Sequence, residues 1–68
     1  MPTHEEQILR ILGEAKEPLF ASEIAERYSE LRPDSAYSRM EVAKRLKSMS
    51  EQVAQLPDGR WMLKGLML

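Results

Sequence analysis

The stretch VAQLPDGRWML, residues 53–63, reads as a β-hairpin and decides the fold. Pro57 presets the dihedral needed at the second position of a tight turn. Asp58 favours the next position, and Gly59 tolerates a positive φ. A three-residue loop ending in glycine is a common way to join two antiparallel strands. Short runs containing Val53, Leu56, Trp61 and Leu63 flank the turn, and Trp61 is expected to plug the core with its indole N–H at the rim.

Working back from the hairpin, SRMEVAKRLKSM begins with Ser38 and, three residues later, Glu41. That spacing is a capping box. Val42, Leu46, Met49 and Val53 follow at spacings of four, three and four, with Ala43 beside them, which predicts a helix over about 38–50. Upstream, RPDSAY is a polar linker with a proline and turn formers. A helix over about 22–30 precedes it, burying Ile24, Ala25 and Tyr28, with Leu31 beyond. PLF, residues 18–20, is a short extended piece expected to pair with the hairpin. Thr3 and Glu6 form another capping box and open a helix over about 4–16. Its apolar face is Ile8, Leu9, Leu12 and Ala15, with Ile11 at the edge. Glu17-Pro18 ends it, because a residue before proline avoids the helical region.

The order helix, extended piece, helix, helix, hairpin makes the fold class mainly α (α+β). It is a three-helix winged helix-turn-helix with a short C-terminal β-hairpin wing. With 68 residues the chain is one domain, 1–68. A domain of this size buries only about 60% of the surface that its unfolded chain exposes, so stability is marginal and a deep pocket has little room.

The segment EEQILRILGEAKEPLFASEIAERY resembles the opening of many winged-helix domains. It is most similar to the HARE-type winged helix of chromatin-linked and bacterial regulatory proteins, where a PL step, an EI helix, a third helix and a closing GRW-like strand recur in this order. The resemblance covers roughly residues 5–64. It implies nucleic-acid binding through the third helix, assisted by the wing. Two features depart from it: the wing LPDGRW is short and offers only Arg60, and the linker SELRPDSAYS is longer than a minimal helix-turn-helix turn.

Charge is unevenly spread. Residues 1–37 carry four basic and eight acidic side chains and residues 38–68 carry six and three, so a −4 half meets a +3 half. Such asymmetry bears on partners more than the net charge of −1 does. On the third helix, at about 100° per residue, Met40, Lys44, Lys47 and Ser48 share the face opposite Val42, Leu46 and Met49. Arg39 lies in the first turn, and Arg45 flanks the core stripe. In the DNA reading, Lys44 and Lys47 meet phosphates or guanine edges and Met40 touches a thymine methyl. Ser48, Arg39, Tyr37 and Arg60 then contact the backbone. The plain alternative is a solvated helix face, with Glu41 and Arg45 as an ordinary i,i+4 pair.

Other functions find little support. The chain has no cysteine, which removes disulfides, thiolate metal sites and cysteine catalysis, and fits a cytoplasmic protein. His4 is the single histidine and reads as an exposed terminal residue. No spacing supplies three or four metal ligands, the serines lack a histidine partner, and there is no glycine-rich phosphate loop. The chain is therefore expected to be no enzyme and to need no cofactor. No apolar run spans a membrane, and the N-terminus does not read as a secretory signal. The apolar tail Leu66, Met67 and Leu68 is a candidate homodimer contact. The expected partner is double-stranded DNA, read by a transcriptional regulator. The competing expectation is a winged helix that binds another protein, since fold does not fix function.

Overall fold

The computed structural model describes residues 3–34 and 37–66. Helix α1 spans His4–Ala15, α2 spans Ala21–Leu31 and α3 spans Arg39–Ser48. Strands β1 (Val53–Gln55) and β2 (Trp61–Leu63) follow, and a 3-10 turn covers Lys64–Leu66. The chain thus builds three helices and a C-terminal antiparallel hairpin, the layout of a winged helix.

Each helix start has a local cause. The Thr3 hydroxyl accepts from the Glu6 N–H at 3.2 Å, and the Ser38 hydroxyl accepts from the Glu41 N–H at 3.3 Å. These bonds satisfy amide donors that have no partner within the helix. Helix α2 starts differently. Phe20 has no polar side chain to cap with, but its N–H donates to the Glu23 carboxylate at 2.8 Å. The helix therefore begins at Ala21, one residue earlier than the sequence pattern suggested.

Helix ends are tighter than expected. Lys16 takes the left-handed conformation, φ 58°, and stops α1 at Ala15. The α3 ladder closes with a short bond from the Met49 N–H to the Leu46 carbonyl, 3.1 Å, and ends the helix at Ser48. The Gln52 and Val53 amides then both donate to the Met49 carbonyl, which turns the chain directly into β1.

In the hairpin, Val53 pairs with Leu63, Ala54 with Met62 and Gln55 with Trp61. The Gly59 N–H donates to the Leu56 carbonyl at 2.9 Å and Gly59 has φ 100°, which is the expected three-residue loop. Leu19 forms a bridge to the other side of β2. Its N–H donates to the Trp61 carbonyl at 2.9 Å, and the Trp61 N–H donates back at 2.7 Å. The PLF segment thus pairs with the hairpin, and β2 lies between Leu19 and β1.

The core forms where these elements meet. Ile8, Leu12, Leu19, Ile24, Val42, Leu46 and Val53 are fully buried, and Ile11, Tyr28, Met49 and Trp61 nearly so. On α1 the buried stripe is rotated from the expected one, with Ile11 inside and Leu9 and Ala15 at the margin. Leu31, expected to extend the buried face of α2, is 47% exposed. Strand β2 stops at Leu63 because the backbone turns at Lys64. Met67 and Leu68 lie outside the described residues, and so does the side chain of Leu66; the dimer contact expected of these three falls there. Among the described residues, no helix is long and apolar enough to cross a membrane.

Candidate nucleic-acid interface

Helix α3 is held from one side. Val42, Leu46 and Met49 are buried, which fixes its rotation. The opposite side is in solvent. Arg39, Met40, Lys44, Lys47 and Ser48 are all exposed, Met40 by 73%. Arg39, Lys44 and Lys47 make no ion pair among the described residues. The Ser48 hydroxyl donates to the Arg45 carbonyl at 2.7 Å, so its proton is already used and its lone pairs face outward as acceptors only.

Two further candidates are placed differently. Tyr37, just before α3, is 9% exposed and packs in the core cluster rather than standing in solvent. Its hydroxyl lies 3.5 Å from the Glu41 carbonyl. Arg60, on the hairpin turn, is half-buried and folded onto Asp58, with its Nε 2.6 Å from a carboxylate oxygen. The Arg60 backbone N–H also donates to Asp58, at 3.1 Å. That backbone bond and the adjacent guanidinium hold the Asp58 carboxyl below its ordinary range.

Arg45 does not pair with Glu41 as the i,i+4 spacing suggested. It crosses to α1 and meets Glu5 at 3.5 Å. The neighbouring Tyr37 hydroxyl, and to a lesser degree Glu5, push the guanidinium pKa up. An i,i+4 pair is worth only a few tenths of a kcal/mol, so a tertiary partner readily displaces it.

His4 is exposed, as expected, but its ring is held in place. Its ring stacks on Tyr37 with centroids 4.1 Å apart and planes at 4°. Its Nδ1 lies 2.5 Å from the Tyr28 hydroxyl. Burial pushes the Tyr28 phenol up, so this hydroxyl keeps its proton for the contact. The ring therefore joins α1, α2 and the segment leading into α3. Nothing in the spacing of residues 4, 28 and 37 announces this cluster, because its members come from three different elements.

Between the start of α1 and the flank of α3 runs an open groove of about 450 Å³, lined by His4, Tyr37, Glu41, Lys44, Arg45 and Ser48. It joins the exposed α3 face along Lys44 and Ser48. Helix α2 exposes Glu23, Glu26 and Glu30. Among the described residues, no group of three or more histidine, aspartate or glutamate side chains is placed to hold a metal ion. Comparison of the chain with protein-family models, with curated proteins and with solved structures found no match.

Proposed function

We propose that this chain is a small DNA-binding protein of the transcriptional-regulator type, with α3 entering the major groove of a duplex and the hairpin turn lying against a flanking phosphate. One observation carries the reading. The exposed face of α3 presents Arg39, Lys44 and Lys47 without ion-pair partners among the described residues, together with Met40. A helix that offers uncompensated cations around an apolar contact suits a groove walled by phosphates and floored by base edges. The element order supports a winged helix, and the similarity to HARE-type winged helices points the same way. On this reading the chain is a binding protein without catalytic chemistry, and its lack of cysteine fits a cytoplasmic site of action.

The test is charge reversal at the centre of the face. Lys44→Glu with Lys47→Glu replaces two exposed side chains and leaves the core untouched. Duplex binding measured by fluorescence anisotropy should be abolished while the circular dichroism spectrum is retained. Unchanged affinity would overturn the assigned face.

A second reading, a winged helix that binds a protein, is favoured by the wing. Its one cation, Arg60, is neutralised by Asp58 at 2.6 Å. A surface carrying both signs suits a protein partner better than a polyanion.

A further inference from the structure

The interface proposed above is built from α3 and the hairpin turn, and the groove beside it brings in a residue from α1. The side chains lining that groove carry two positive charges, Lys44 and Arg45, and one negative, Glu41, and Glu5 pairs with Arg45 at 3.5 Å. His4 lines the same groove and is the one side chain of the whole protein whose type changes charge between about pH 5 and pH 8. Protonation of His4 adds one positive charge to a lining that already holds Lys44 and Arg45, and so strengthens its pull on an anion.

That imidazole is also held in place. Stacking on Tyr37 fixes its plane, and the Tyr28 hydroxyl engages Nδ1. Nε2 makes no hydrogen bond among the described residues. The contact to Tyr28 survives a change of charge, because the tyrosine oxygen can accept from Nδ1–H as well as donate to it. The stack survives too, since a cation over a tyrosine face is attracted to it. The charged groups around the ring are Glu5 and Glu6 on α1, Arg32 and Asp34 near Tyr28 after α2, and Glu41, Lys44 and Arg45 on α3. Tyr28 and Tyr37 are the uncharged titratable neighbours.

We infer that His4 is a contact residue of the same interface: in its imidazolium form it holds a backbone phosphate of the duplex in the groove beside Lys44. This rests on the DNA-binding reading of α3 and extends the footprint from α3 onto the first turn of α1. It predicts that duplex affinity rises as pH falls, with one more phosphate neutralised at low pH than at high pH.

The experiment is duplex binding by fluorescence anisotropy near pH 5.5 and near pH 8, each over a range of salt, for the wild-type chain, His4→Gln and Lys44→Ala. An exposed charge contact is small, so the wild type should bind about three- to fivefold tighter at the lower pH. Its plot of log affinity against log salt should be steeper there by about 0.9, the increment for one phosphate contact. His4→Gln should lose both pH effects, binding with the same affinity and the same salt slope at the two pH values. If His4→Gln keeps the pH dependence, or the wild-type slopes are equal, the inference is overturned. If Lys44→Ala binds like the wild type at both pH values, the underlying interface has failed instead.

One further readout needs no variant. The imidazole resonances of the single histidine can be followed by NMR near pH 5.5 as duplex is added. Phosphate contact with the ring should move them together with the amides of α3. Imidazole resonances that stay in place at saturating duplex would overturn the inference.

Discussion

The His4 ring lies parallel to the Tyr37 ring, 4.1 Å away, and its Nδ1 meets the hydroxyl of Tyr28. Tyr28 and Tyr37 are themselves in contact, with centroids 4.8 Å apart. Three aromatic rings from three places in the chain thus pin the start of α1 against α2 and the approach to α3. The adjacent Glu5–Arg45 pair spans the same seam. The orientation of the proposed reading helix relative to the rest of the molecule depends in part on this cluster.

The stack should be measurable as a coupling. A double-mutant cycle of His4→Leu and Tyr37→Leu, read by urea denaturation, should give an interaction free energy of about 0.5–1.5 kcal/mol, the usual worth of an aromatic pair beyond area burial. Additive single effects would show that the rings lie together without contributing. Tyr37→Leu should cost more than His4→Leu alone, because Tyr37 is buried and His4 is not.

Lys16 ends α1 in the left-handed region, φ 58°, where a side chain is disfavoured and glycine is not. It is exposed and makes no ion pair among the described residues. Lys16→Gly should stabilise the fold by up to about 1 kcal/mol, seen as a higher urea midpoint with an unchanged slope. Elsewhere in a helix the same change destabilises, so a loss of stability would contradict the assigned conformation.

Asp58 gives the wing an acid-sensitive tie. Its carboxyl is depressed in the fold, first by the Arg60 backbone N–H and then by the guanidinium. A depressed carboxylate adds stability that is fully present above its unfolded value near 3.8 and is lost as pH falls through the folded value. Thermal melts should therefore place Asp58→Asn below the wild type at neutral pH. The gap should close as pH falls below about 4. A gap that persists at about pH 2 would show that Asp58 acts through turn geometry rather than charge. The same variant frees Arg60, so the DNA reading predicts tighter duplex binding for it.

Much of this fold was legible in the sequence because its signals are local. Thr3 and Ser38 cap α1 and α3 as their spacing to Glu6 and Glu41 implies. The Pro57-Asp58-Gly59 turn forms as its residue types dictate, with φ 100° at Gly59. The outward face of α3 followed from helical geometry, since Val42, Leu46 and Met49 bury the opposite side. What the sequence did not reveal depends on contacts between elements. Ile11 rather than Leu9 turns inward on α1, because both lie near the edge of the apolar stripe and α2 and the sheet decide between them. Arg45 prefers Glu5 on another helix to its own Glu41. Tyr37 is drawn into the core, and the exposed His4 ring stacks on it. Arg60 turns back onto Asp58, two residues away in a tight loop, so its charge is not free at the wing.

The proposed nucleic-acid face comprises α3 and the hairpin turn. Its most direct test is an NMR titration of the isotope-labelled chain with a short mixed-sequence duplex, first at low salt and then at high salt. Amides of residues 37–48 and 58–61 should shift together, and the shifts should fade as salt rises, because the contacts are largely to phosphate. Amides that stay in place at saturating duplex, or shifts confined to the acidic side of α2, would contradict it.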